Sequence, residues 1–184
     1  MYPNLTINRV TPQDASTAYQ VFELSIADAF DKEGSGHLLS DIQSEIVHKK
    51  HLLDQALSPM GMDSDILFLV AKLNDVVVGT ISYAPCGDDV KVCTNHQLDA
   101  VGEVGSMYVL PAYQDQGVGS ALIQALLRHL HERGVEEFCL DSGYQQAQGR
   151  WKHKFGTPYV IVEDYWGQDS DHMVWYCKVR DYVK

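Results

Sequence analysis

The sequence predicts a strand-rich α/β domain built on a mixed sheet. Three observations carry that expectation. Apolar runs of strand length alternate with helical periodicities along the chain. Two of those runs flank the turn pair Asn74-Asp75. A glycine-opened amphipathic helix follows the strand at 101–110.

Leu5 to Val10 reads as a short strand. Thr11 as cap and Pro12 at the first helical position open a helix, which continues through the apolar positions Ala18, Val21, Phe22, Leu24 and Ile26. Gly34-Ser35-Gly36 breaks it. A second helix runs from about Ser40 to Leu57 and stops before Pro59. Ile66–Ala71 and Val76–Tyr83 are strands with the hairpin pair Asn74-Asp75 between them; Pro85 ends the second, and Cys86 to Asp99 is a polar excursion. Val101 to Leu110 is the next strand. Gly117 to Arg133 is the strongest helix, with Leu122, Ile123, Leu126, Leu127 and Leu130 at three- and four-residue spacing and Gly134 as its C-terminal cap. A strand at Phe138–Leu140 and a helix from about Gln145 to Lys154 follow. Terminal strands at Tyr159–Val162 and Met173–Val179 bracket Trp166 to Ser170.

The 184 residues suit one domain spanning 1–184, with 45% hydrophobic and 21% charged residues near globular averages. No apolar run approaches the roughly 20 residues needed to cross a bilayer, and the N-terminus lacks a basic stretch and an apolar signal core. A cytoplasmic location without membrane attachment is the expectation. Cys139 and Cys177 lie in apolar runs and read as buried thiols, whereas Cys86 and Cys93 read as exposed, with a disulfide between them left open. The net charge of −11, from 14 basic and 25 acidic residues, argues against a nucleic-acid surface. It suits a cationic small substrate, or simply keeps the chain soluble. His48/His51 and His129/His131 lack an acidic third ligand at a recognisable spacing, so no metal is expected.

The informative segment is Val109-Leu110-Pro111-Ala112-Tyr113-Gln114-Asp115-Gln116-Gly117-Val118-Gly119-Ser120-Ala121-Leu122. A strand ends, a loop turns, and glycines open a helix. Glycine admits close backbone approach, and the first amides of the helix carry the positive end of its dipole, which makes a cradle suited to a pyrophosphate. The P-loop pattern fails here for want of a lysine after Gly119, and the dinucleotide fingerprint fails because Leu122 stands at the third glycine position.

The segment does match the acetyl-CoA loop of the GNAT superfamily, Gln/Arg-x-x-Gly-x-Gly/Ala, through Gln114, Gly117 and Gly119. The chain also resembles that family in the Met107-Tyr108-Val109 strand end, the Pro111 turn and the order of its elements. The resemblance implies a GNAT-like α/β (α+β) fold: a mixed, mostly antiparallel, splayed sheet of about six to seven strands flanked by about four helices. It implies that amides from Gln114 to Ser120 hold the pyrophosphate of acetyl-CoA. It further implies that the backbone of Met107 and Val109 binds the pantetheine. The family often carries Arg where this chain has Gln116, which removes one phosphate contact. A homodimer, joined through a sheet edge or the C-terminal strands, is also within the family's habit.

By the same resemblance Glu103 looks like the general base that deprotonates the acceptor amine. Strand alternation puts Glu103, Gly105, Met107 and Val109 on one side, facing the thioester, unless a bulge intervenes; the alternative is a carboxylate at a strand start in water. The family's general-acid tyrosine is replaced by Trp151. Tyr144 is the substitute, with Tyr159 behind it, and a structural role is the competing reading for each. Substrate contacts are expected from Asp28, Asp31, Glu33 and His37, and from Asp164, Tyr165, Trp166, Asp169 and Asp171. Of these Asp31, His37 and Trp166 lead, as charge and aromatic faces suit an ammonium group. The expected activity is acetyl transfer from acetyl-CoA to the primary amine of a small molecule or peptide, by direct attack in a ternary complex. A non-catalytic acyl-CoA-binding module is the alternative, favoured by Trp151.

Overall fold

Seven strands form one sheet among the described residues: β1 (Leu5–Arg9), β2 (Leu67–Leu73), β3 (Val76–Ala84), β4 (Glu103–Val109), β5 (Glu137–Ser142), β6 (Val160–Val162) and β7 (His172–Lys178). A computed structural model describes Tyr2, residues 4–58 and residues 66–183. Spatial order is β1-β2-β3-β4-β5-β7-β6, antiparallel throughout except for the parallel pair β4–β5. Five helices accompany it among the described residues: α1 (Ala15–Lys32), α2 (Leu39–Leu57), α3 (Asp88–Cys93), α4 (Val118–Glu132) and α5 (Gln145–Phe155).

Local chemistry explains most boundaries. Thr11 and Asp14 form a capping box around the 3₁₀ turn that leads into α1. Asn74 and Asp75 take φ of 49° and 65°, the left-handed pair that a two-residue hairpin with matching twist requires. α2 ends at Leu57; Pro59, read above as its stop, lies outside the described residues. Gly134, at φ 73°, closes α4: its amide reaches the His131 carbonyl at 3.0 Å and the Val135 amide reaches Leu130 at 2.9 Å.

β2 is apolar on both sides because both faces of the sheet are covered. Leu67, Leu69 and Ala71 pack with α4, whose Leu122, Leu126, Leu127 and Leu130 are fully buried. Each of those leucines gains about 1.5–3 kcal/mol over exposure. Phe68 and Val70 pack on the opposite face against Phe22 and Ile26 of α1 and Leu53 of α2. No helix among the described residues is long and apolar enough to cross a membrane.

The stretch read as a polar excursion contains α3 and a third small core. Val90, Cys93 and Leu98 bury against Cys139 and Val174 of β5 and β7. Cys86 and Cys93 are buried free thiols, which corrects their reading as exposed. Burial also raises both thiols above their ordinary range.

Candidate active site

β4 and β5 meet at a single register pair, Glu103 with Cys139, where the Cys139 amide donates to the Gly102 carbonyl at 3.0 Å. Beyond it β4 pairs with β3 and β5 with β7, so the two strands part. The gap opens into a cleft of about 1060 Å³. Met107, Tyr108 and Val109 of β4 line it, with Gly117, Gly119 and Ser120 at the mouth of α4, Tyr144 before α5, Arg150 and Trp151 of α5, and Asp28 and Lys32 of α1.

The loop before α4 is shaped by two left-handed residues, Asp115 at φ 57° and Gly117 at φ 87°. Gly117 is the N-cap and supplies no side-chain bond, so the first amides of the fifteen-residue α4 keep their donors free of any capping side chain. Gly119 brings α4 close to β4: a Cβ there would stand 2.6 Å from the Met107 Cε. Free amides, a helix dipole and a glycine-tight approach fit a diphosphate. The side chains of the loop do other work. Gln114 Nε2 donates to the Val109 carbonyl at 3.0 Å, and Gln114 Oε1 accepts from Lys32 at 2.9 Å. Gln116 turns to the Ala112 carbonyl and the Tyr2 hydroxyl, while Val118 is buried in the core. Arg150 crosses from α5 to Asp115 at 3.3 Å.

The alternation expected along β4 does not hold. Thr80 faces Tyr108 but Ser82 faces Gly105, so two β4 residues stand opposite Ile81, and Ser106 takes φ 46° to absorb the extra one. Val104, Met107 and Val109 therefore share the α4 side, whereas Tyr108 packs on the α1–α2 side. Glu103, adjacent to Val104, belongs to the Tyr108 side; its grouping with Met107 and Val109 is corrected. It is half-buried, does not itself line the cleft, and accepts the Gly87 amide at 2.7 Å. Burial and then the Asp141 charge push its carboxyl up to about 7, against the opposing pull of the Gly87 bond and Lys49.

On this side lies a carboxylate that the sequence reading passed over. Glu45 of α2 accepts the Tyr108 hydroxyl at 2.9 Å and pairs with Lys49 at 3.3 Å. Burial and Glu45 hold the Tyr108 phenol well above its usual value. Tyr144 lines the cleft, edge-on to Phe30 at 5.8 Å, its phenol also raised by burial and by Glu45 and Glu33. Trp151 lines the cleft too, packed on Phe155.

Tyr159 does not line it; it is half-exposed and donates to Gln97 at 2.6 Å, on the α3 side of the sheet. Glu33 caps α5, taking the Gln145 and Gln146 amides at 3.2 and 3.1 Å. Asp31 fills the space over Gly36 and, like His37, is exposed. Asp164 and Asp171 serve the final hairpin by accepting the Asp169 and Asp164 amides, and Tyr165 donates to Asp89. Trp166 is 57% exposed with its indole N–H on His172. Among the described residues no group of three or more His, Cys, Asp or Glu is arranged to hold a metal.

The family model of the acetyltransferase (GNAT) family matches residues 34–157. A search of curated protein sequences finds no match. Among solved structures, a putative GNAT-family acetyltransferase from Desulfovibrio desulfuricans superposes with a TM-score of 0.70 at 17% identity, over 95% of this chain and 99% of that one. PaiA N-acetyltransferase from Thermoplasma acidophilum, in complex with coenzyme A, gives 0.65 at 19% identity, over 94% and 99%. The ribosomal-protein-S18-alanine N-acetyltransferase of Escherichia coli gives 0.62 at 16%, over 95% and 94%. At these identities the likeness is one of fold.

Proposed function

The chain belongs to the acetyltransferase (GNAT) family, and from that membership we propose that it transfers the acetyl group of acetyl-CoA to a primary amine in a ternary complex. The observation that carries the reading is the cleft between the parted β4 and β5, with the uncapped amides of α4 at its mouth. The amides from Gln114 to Ser120 would hold the diphosphate, and the β4 backbone at Met107 and Val109 the pantetheine. Bound there, acetyl-CoA supplies an activated acyl group. We take the chain, 1–184, as one acetyltransferase domain.

An ammonium group must lose a proton before its nitrogen can attack. Glu103, on the Tyr108 side of β4, serves as base through a water, since it does not itself line the cleft. A carboxyl held at about 7 takes up a proton far better near neutral pH than an ordinary one. The Tyr144 hydroxyl, which lines the cleft and retains its proton, would return one to the departing sulfur. Asp28 lines the cleft and Glu45 lies beyond Tyr108, and carboxylates so placed favour a cationic acceptor.

Thiol release measured over a panel of small amines and peptides tests the reading. Turnover on one class, lost in Glu103→Gln, supports it. Tight coenzyme binding with no turnover on any amine favours a binding module instead.

A further inference from the structure

His172 is 3% exposed and has both ring nitrogens engaged. The Trp166 indole N–H donates to Nδ1 at 2.9 Å, and Nε2 lies 3.0 Å from Asp141 Oδ2. An indole N–H only donates, so Nδ1 must accept, and the ring hydrogen sits on Nε2 facing Asp141. Trp166 thereby selects the tautomer that ties down the Asp141 carboxylate. Gly143 leaves the room for it: a Cβ there would stand 2.5 Å from the indole nitrogen. Tyr165 backs the imidazole at 5.1 Å.

Asp141 projects from β5 on the same face as Cys139, two residues earlier, and Cys139 is the register partner of Glu103. The two carboxylates are therefore diagonal neighbours on one face, at the point where β4 and β5 part. We infer that Asp141, pinned by His172 and Trp166, is a positioning residue that keeps a second carboxylate facing the base Glu103. This inference rests on the proposed role of Glu103.

A fixed negative charge beside Glu103 makes its own ionised form costlier, and so makes it a better proton acceptor. The proton passes from the substrate ammonium to a Glu103 oxygen through water, and the nitrogen keeps its electron pair for attack. Other groups act on Glu103 from each element around it. Lys49 of α2 opposes the effect and Asp89 of α3 adds to it, while Cys86 and Cys139 are thiols whose ionisation Glu103 itself discourages. Asp141 comes second only to burial among the causes that raise Glu103. Trp166, expected from sequence as a substrate contact, becomes the outer end of this chain.

The test follows the Glu103 carboxyl carbon by NMR titration in wild type, Asp141→Asn and Trp166→Phe, all free of coenzyme. The pH profile of kcat/KM is then measured for the same three proteins. Asp141→Asn is expected to lower both the Glu103 midpoint and the acid limb by about one pH unit. Trp166→Phe keeps the Asp141 charge but removes the N–H that fixes the His172 ring hydrogen on the Asp141 side, so Asp141 is held less firmly and both should move the same way by less. Its exposed ring makes it the variant to rely on should Asp141→Asn fold poorly. Unmoved midpoints overturn the inference, and they leave the base role standing where Glu103→Gln abolishes the acid limb. A Glu103→Gln enzyme with the wild-type profile overturns the base role, while the carboxyl titration still reports whether Asp141 acts on Glu103. A Trp166→Phe enzyme with altered amine KM and unmoved midpoints removes Trp166 from the chain and returns it to the substrate.

Discussion

Arg150 of α5 reaches across the mouth of the cleft to Asp115 of the loop before α4, with Nη2 and Oδ1 3.3 Å apart. The side chains are 58% and 81% exposed, so the pair contributes little to folding. Its effect falls on the coenzyme. Under the proposed function Asp115 sets a negative charge where the diphosphate would bind and holds the cation that would help it. Calorimetry should show Asp115→Asn binding coenzyme A several-fold more tightly and Arg150→Ala about tenfold more weakly. Both differences should shrink at high salt.

The raised Glu103 carboxyl also writes a pH dependence into stability. Its folded value is about 7 against a reference of 4.5, so the folded state holds the proton more firmly. That contribution is present below pH 4.5 and is lost as pH rises to 7. Glu103→Gln, which can still accept the Gly87 amide, should gain on wild type through that window. The gain should be on the order of 3 kcal/mol from a shift of 4.5 to about 7, and level above it. Urea unfolding from pH 4 to 8 measures it; parallel curves would contradict it.

Gly117 has φ 87° and open space where a Cβ would go, so any cost of substitution there comes from the backbone. Gly117→Ala should destabilise by about 1–2 kcal/mol and weaken coenzyme binding. Gly117→Asn should lose less on both counts, because Asn tolerates the left-handed region. Equal losses would show that the conformation is not what matters.

Tyr144→Phe keeps the packing on Phe30 and removes only the hydroxyl. As proton donor its loss should lower kcat by roughly 10²–10⁴-fold with coenzyme affinity unchanged. An unchanged kcat would leave Tyr144 as a cleft wall and the thiolate as a leaving group that needs no acid.

Much of the fold was legible because it is written in short-range chemistry. Asn74-Asp75, Thr11-Pro12 and Gly134 each announce a turn or cap, and the leucines of α4 announce its buried face. α3 was missed because six residues are too few for a period, and its burial depends on Cys139 and Val174, far away in sequence. The bulge at Ser106 leaves no mark that alternation can detect, yet it moves Glu103 to the other face of the sheet. Asp141 and His172 meet only once β5 and β7 pair, so neither stood out. Glu33 looked like a substrate carboxylate because nothing in its neighbourhood along the chain points to the amides of Gln145 and Gln146.

Backbone amide shifts followed by ¹⁵N NMR during addition of coenzyme A test the diphosphate cradle most directly. The amides of Gly117, Val118, Gly119 and Ser120 should shift furthest and saturate together with those of Met107 and Val109. Saturating shifts confined to another surface, or none at all in the folded protein, would contradict the assignment of the α4 mouth as the coenzyme site.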